Sequence, residues 1–472
     1  MGCVTGSTAA LNLAGGTACG KKESRRAARR DSRGVLTMTE STGPGGPKPP
    51  GTATTDRRGF LARGAAALAL PYFIAGSVRA QGARPAPSER LTIASIGYGN
   101  QGSGDVGTLM NKPQLQYVAC SDVRSNKLAE MTNRLEGKFG AGIGAYGDWR
   151  ALVDRDDIDL VHIATPDHWH GVMSCWLMAS GKDIYCQKPL SLTVAEAWAI
   201  HETAQRFGRV FQTGSQQRSS GEFLRACEYV RSGRLGEIKQ VNVQIGGPSE
   251  DRLYPAQPVP PELDWDMWLG PAPWMPYNEE RASGNYGGGW RQVKDYSGGM
   301  MTDWGAHHFD ITQWGLGKDG SGPDEILAPA DTPEGKLVYV YTETEVGNNV
   351  RVVHQGPANG VRFIGELGEI EVNRGLIRST PESILEEPLG ADAVRLYASR
   401  DHFDNWLDCV VSREAPITDS LVGASSVTMC HLGNIAHWSG RSFRWDPGAR
   451  EIIADPELSR FLSRPMRAPW HL

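Results

Sequence analysis

The run Leu91–Asn111, LTIASIGYGNQGSGDVGTLMN, leaves little freedom to the chain around it. A β-rich apolar stretch ends at Gly97, glycines follow at Gly99 and Gly102, and the pattern then turns helical. In a chain with 57 glycines this spacing is weak on its own; standing between a strand and a helix, it is specific. Gly97 permits the tight turn, Gly99 lets a pyrophosphate approach the backbone, and Gly102 lets helix and strand pack closely. The N–H groups at the helix start, around Asn100 and Gln101, then face the phosphates. Asp122 ends the next strand 20 residues after Gly102. A carboxylate there accepts from an adenosine ribose hydroxyl. It also repels a 2′-phosphate, which favours NAD over NADP, while Arg124 keeps NADP open.

From Arg90 onward, short β-rich runs alternate with helical stretches. DIDLVHIATP, KDIYCQKPL and RVFQTGSQQ are further strands, and TVAEAWAIHETAQRFG is a helix capped by Thr193 and ended by Gly208. Alternation of this kind predicts an α/β fold with a doubly wound parallel sheet over residues 88–217. After Gln217 strands follow one another without intervening helices, as in KLVYVYTETE and VRFIGELGEIEVNRG. Residues 218–450 are therefore expected to form an α+β domain with an open, largely antiparallel sheet, and 451–472 a C-terminal tail. In HFDNWLDCVVS, Phe403, Trp406, Leu407 and Val410 recur at helical spacing.

The N-terminal 80 residues read differently. In TTDRRGFLARGAAALALPYFIAGSVRA the apolar stretch 64–78 is interrupted by Pro71. It is shorter than the roughly 20 residues that a membrane span needs. Val78 and Ala80 stand where a signal-peptide cleavage site requires small residues, and Arg57-Arg58 ahead of the stretch point to the twin-arginine export machinery. Cleavage near Ala80 and a periplasmic or secreted protein are expected. Residues 1–37 are basic, polar and expected to be disordered, with Met38 as the expected start. Residues 81–472 hold 37 Lys and Arg against 50 Asp and Glu. That balance excludes nucleic acid as a partner, because such binding rests on neutralising phosphates. Their six cysteines are scattered, with no C-x-x-C pair, and no disulfide is expected.

Chemistry concentrates in two places. In GGMMTDWGAHHFDITQW, a continuous helix would put Asp303, His307, Asp310 and Trp314 on one face. An Asp one turn from a His orients an imidazole as a base; a buried, satisfied His or a metal ligand set are the alternatives. No tight ligand pattern appears, and no metal is expected. In CQKPLSL, Lys188 follows a predicted strand, where parallel sheets bind ligands. The long segment Gly246–Gly299 is rich in Trp, Tyr, Asn and Arg. Tyr286, Trp290 and Arg291 are its candidate sugar-binding residues; packing over the sheet or an oligomer contact is the alternative.

Together these pieces resemble the Gfo/Idh/MocA oxidoreductase family, whose pattern joins the glycine fingerprint, E-K-P and G-G-x-x-x-D-x-G-x-H-x-x-D. The matching residues here are Gly97, Gly99 and Gly102, then Gln187-Lys188-Pro189, then Gly298-Gly299, Asp303, Gly305, His307 and Asp310. HLGNIAHWSGRSFRWDP and RPMRAPWHL resemble a secreted branch of that family. The resemblance implies that Lys188, Asp303 and His307 form a catalytic trio, and that Thr165 and Pro166 line the nicotinamide, with His170 beside them. Gln187 departs from the family glutamate. A dimer or tetramer is expected by the same analogy. An exported protein has no ready pool of NAD, so the cofactor is expected to be bound before export and to keep its hydride within the site. The expected reaction is hydride transfer from a sugar, polyol or glycoside. The alternatives are redox-neutral lyase or glycoside-cleaving chemistry through a transient keto-sugar, and a non-catalytic sugar-binding protein.

Overall fold

The computed structural model describes residues 85, 86, 89–284, 286, 288–356 and 358–472. The expected disordered extension and twin-arginine signal, residues 1–80, lie outside them. Among the described residues no helix is long and apolar enough to cross a membrane.

Six strands form the first sheet: β1 (Leu91–Ile96), β2 (Leu115–Ser121), β3 (Gly144–Tyr146), β4 (Leu160–Ile163), β5 (Asp183–Cys186) and β6 (Phe211–Thr213). Their order is β3-β2-β1-β4-β5-β6, and every pairing is parallel. This is a Rossmann sheet, and the order reverses between β1 and β4, where such sheets bind nucleotides. Helices cover both faces: α1 (Asn100–Leu109), α2 (Ser125–Phe139), α3 (His170–Ala179) and α4 (Val194–Phe207). Helix α4 begins and ends where its sequence dictates. Thr193 accepts from the Glu196 N–H, Glu196 reaches back to the Leu192 N–H, and Gly208 closes the last turn in the left-handed region at φ 59°.

Helix α5 (Gly221–Arg231) leads into the second sheet. Its strands are β7 (Ile238–Gln244), β8 (Glu325–Leu327), β9 (Val338–Thr344), β10 (Gly347–His354), β11 (Gly360–Gly365), β12 (Glu369–Asn373), β13 (Leu376–Thr380), β14 (Phe443–Asp446) and β15 (Glu451–Ile452). They lie in the order β13-β12-β11-β7-β10-β9-β8-β14-β15. Only β7 and β10 pair in parallel; the other neighbours are antiparallel. One face is apolar, with Val241, Val243, Tyr339, Val352, Phe363 and Val372 fully buried. Helix α6 (Gly305–Leu316) lies on that face, close enough that a Cβ on Gly315 would come within 2.6 Å of the Phe363 ring. The other face is polar and laced by pairs such as Arg362–Glu371 and Arg378–Glu371.

Packing contacts cross the expected boundaries at 217 and 450. Helix α7 (His402–Ser412) returns to the first sheet and buries Phe403, Trp406, Leu407 and Val410 in one cluster with Tyr117 and Tyr185. Helix α8 (Ser420–Ser439) ties the halves together, with Thr428 accepting from Trp198 and Ser191 meeting His431. The expected tail, 451–472, is tied down by side-chain contacts. Arg464 bonds Glu196 and the carbonyls of His168 and Asp295, and Trp470 packs among Trp149, Trp169 and Trp176 at ring separations of 6.2, 4.7 and 6.1 Å. Replacing Trp470 by Ala should therefore cost about 3 kcal/mol or more in urea unfolding. An unchanged midpoint would show that this strap holds nothing.

Candidate active site

A cavity of about 830 Å³ opens at the carboxyl ends of β1 and β4. Gly97, at φ +89°, passes so close to β4 that a Cβ would stand 2.5 Å from the Ala164 carbonyl oxygen. A Cβ on Gly102 would stand 2.2 Å from the Gly97 carbonyl oxygen. Gly99 differs, because nothing of the protein lies within 4 Å of its absent Cβ. It precedes α1, whose first turn has no side-chain cap. An uncapped helix start beside an open glycine is a cradle for an anion. The residues present therefore fit a dinucleotide. Asn100 and Gln101 line the cavity with them.

Asp122 also lines the cavity, and its two carboxylate oxygens accept from the Tyr98 and Arg124 N–H groups at 2.7 and 2.8 Å. Burial raises this carboxyl, against the pull of those bonds. Thr165 and Pro166 form part of the wall. His170 does not reach it. Its ring nitrogens stand 2.7 Å from the Pro189 carbonyl and 3.0 Å from that of Thr165. The expected cofactor ligand instead braces the ends of two strands from behind.

The roof comes from the long segment after β7. Ser125 donates to the Glu262 carbonyl at 2.8 Å, Asp264 to that of Val123 at 3.0 Å, and the Asn100 side chain to that of Gly284 at 3.4 Å. Gln257, Pro260, Tyr277 and Ser283 line the cavity from this segment. Tyr286, Trp290 and Arg291 line the same cavity. Trp290 is buried and Tyr286 is 65% exposed, and the Arg291 guanidinium lies over both rings, 4.3 and 5.4 Å from their centroids. Composition marks this segment in the sequence, but no signal there says that it would close over the nucleotide loop.

Lys188 projects from the end of β5. Its Nζ donates to Asp303 Oδ1 at 2.9 Å and to the Asp303 carbonyl at 3.1 Å. Arg291 Nε donates to the same Oδ1 at 3.3 Å. Burial alone would raise the Asp303 carboxyl, but the two cations outweigh it and hold it below the ordinary range. The expected Asp303–His307 pairing is not formed. The helix breaks at Trp304, between the turn Met300–Asp303 and α6, so the two residues do not share one continuous face. Asp303 turns to the cations instead. His307 Nδ1 is buried without a hydrogen-bond partner. Burial, then the charges of Lys188 and Arg374, push His307 well below the ordinary imidazole range, so it is neutral at pH 7. Asp310 is drawn away altogether, accepting from Arg218 at 2.8 and 2.9 Å and from Ser426 at 2.7 Å.

Asp167, in the cavity wall, is a titratable group that the sequence pattern does not single out. Burial raises its carboxyl to about 7, against a 2.6 Å bond from Ser297 Oγ. The folded protein holds this proton more tightly than the unfolded chain. The associated stability is complete below the unfolded value of about 3.9 and is lost as pH rises through about 7. Asp167→Asn should flatten the decline in melting temperature across that window, and an unchanged slope would refute the assignment. Gly99→Ala and Gly102→Ala should separate binding from folding. The first should melt as the parent does yet bind NAD more than about tenfold weaker, read by calorimetry. The second should lower the melting temperature itself, because its Cβ meets backbone.

Comparison with known proteins agrees with this geometry. Residues 91–215 match the oxidoreductase family, NAD-binding Rossmann fold, and residues 247–472 match the oxidoreductase family, C-terminal alpha/beta domain. A glycosyl hydrolase family 109 protein of Shewanella pealeana is 31% identical over 154 residues, 32% of this chain and 34% of that protein. An alpha-N-acetylgalactosaminidase of Shewanella oneidensis is 30% identical over the same share of each. The match thus spans about a third of the length of these relatives. Aldose-aldose oxidoreductase from Caulobacter crescentus, solved with glycerol, shares the fold at a TM-score of 0.53 and 18% identity, covering 75% of this chain and 99% of that one. The two matched domains, in this order around one nucleotide cavity, make the chain a member of the Gfo/Idh/MocA oxidoreductase family, with NAD as its cofactor.

Proposed function

We propose that this protein oxidises a sugar, polyol or glycoside with an NAD that stays in its pocket between turnovers. The observation that carries this reading is the roof: the segment from Gln257 to Arg291 closes over the nucleotide loop and reaches Lys188 through Asp303. When bound, NAD supplies a hydride acceptor at its nicotinamide ring. The chain supplies the rest. Asp303 fixes the Lys188 ammonium at the inner end of the cavity, where it can donate to the substrate oxygen and steady the negative charge that develops there. His307, neutral and near enough to feel the Lys188 charge, is the proton acceptor. Arg291, Trp290 and Tyr286 offer one cation and two aromatic faces to the hydroxyls and C–H surfaces of a sugar. Retention of the cofactor suits a protein exported folded by the twin-arginine route to the periplasm or beyond, and the polar face of the second sheet is the proposed contact in a dimer or tetramer.

A second reading is favoured by the relatives named as glycosidases. In it, transient oxidation acidifies a neighbouring C–H, the aglycone leaves by elimination, water adds across the resulting double bond, and the hydride returns with no net redox change. Product analysis separates the two: a free aglycone with an unoxidised sugar marks the second, a net oxidised sugar the first.

The decisive experiment is the absorbance spectrum of the purified, undialysed protein before and after a panel of sugars and glycosides. The reading requires a co-purifying nicotinamide that a sugar reduces without displacing it; an empty protein that exchanges NAD freely would overturn it. Lys188→Ala and His307→Ala should each slow that reduction by ~10²–10⁴-fold with the nucleotide still bound.

A further inference from the structure

Lys188 is preceded by Gln187, which the family pattern makes a glutamate. Gln187 is buried, and both ends of its amide are engaged. Its Nε2 donates to Asp105 Oδ2 at 2.7 Å, and its Oε1 accepts from the Lys188 N–H at 3.3 Å. It has little room to turn, because a Cβ on the facing Gly214 would stand 2.6 Å from Oε1. Asp105 lies on α1, the helix that opens at the nucleotide loop, and is 5% exposed. Its Oδ1 accepts from Gln101 Nε2 at 2.8 Å, and its Oδ2 also faces His162 Nε2 at 3.1 Å. Behind His162 the chain of bonds continues to Ser95 Oγ and the Tyr117 hydroxyl. The hydrogen-bond directions follow from the acceptor. A carboxylate offers no proton, so Gln187 must turn its NH₂ to Asp105 and its carbonyl to Lys188, and His162 must carry its proton on Nε2.

We propose that Asp105 is a positioning residue for Lys188, acting through Gln187, and that its carboxylate obliges residue 187 to be an amide. The line Asp105–Gln187–Lys188–Asp303 joins the nucleotide-loop helix to the turn before α6 through the backbone of one residue. A glutamate at 187 would set two buried carboxylates at hydrogen-bond distance, where they must share a proton. The buried negative charge stands on Asp105 of α1 rather than at 187, and the amide transmits its position rather than its charge. The proposal rests on the reading of Lys188 as a reacting group.

Gln187→Glu, the reversed pair Asp105→Asn with Gln187→Glu, and Lys188→Ala test it in the full chain, with NADH as probe. Gln187→Glu should bind NADH roughly tenfold more weakly and shift its bound emission. Its melting deficit should widen as pH rises, because the shared proton is held in the folded state and lost at alkaline pH. The reversed pair restores every bond: the amide now on α1 donates to the carboxylate now at 187, and His162 exchanges its tautomer. It should recover NADH affinity and emission to within about threefold and lose the pH dependence. If Gln187→Glu does not fold, a folded reversed pair that binds NADH still supports the proposal. A Gln187→Glu protein indistinguishable from the parent overturns it, as does a reversed pair no better than the single variant. Lys188→Ala separates the two readings. If it slows sugar-driven reduction while Gln187→Glu does not, the Asp105 proposal fails alone. If it leaves that reduction unchanged, the reading of Lys188 has failed, and recovery of melting in the reversed pair still tests the buried pairing.

Discussion

One carboxylate oxygen joins three parts of this protein that are distant in sequence. Asp303 Oδ1 accepts from Lys188 at the end of a Rossmann strand and from Arg291 in the roof, while Asp303 itself ends the turn before α6. The residue is 6% exposed. A buried carboxylate is tolerable only when cations and hydrogen bonds surround it, and removing one partner of such a cluster commonly costs about 3–5 kcal/mol. The same contact fixes where the roof ends and where the lysine points, so the two share one cause.

The neighbouring charges follow from that arrangement. With Asp303 committed to two cations, His307 has no carboxylate to orient it; burial and the nearby positive charges keep it neutral. Asp167 faces the cavity with Ser297 as its hydrogen-bond donor and stays protonated to higher pH than an ordinary carboxyl. Two neighbouring acids thus have opposite tendencies, separated by whether a cation stands within bonding distance. Neighbouring carboxyls with divergent tendencies are a common mark of functional sites.

Some of this is legible in the sequence and the rest is concealed, for physical reasons. The glycine loop is readable because each glycine answers a local demand, a turn, a close approach or an open cradle, that shows within a dozen residues. The parallel sheet is readable from alternation, and α4 from Thr193 and Gly208 at its ends. The Asp303–His307 pairing misleads because helical spacing assumes an unbroken helix, and Trp304 interrupts it. The roof is visible as composition only, since what a loop covers is decided by partners far along the chain. Asp105 escapes notice for the same reason: its partner Gln187 stands 82 positions away. The return of α7 to the first sheet is likewise hidden, because an amphipathic helix shows which face it buries and not against what.

The strap at residues 464–470 has a consequence for the order of events in a cell. Arg464 bonds the carbonyl of His168, a partner 296 positions upstream, and Trp470 props Trp149 and Trp169, which line the nucleotide cavity. Contacts of such long range form late, after the loop between them has been closed at an entropic cost. During synthesis the cavity wall therefore stands unbraced by this strap until residues 464–470 have emerged.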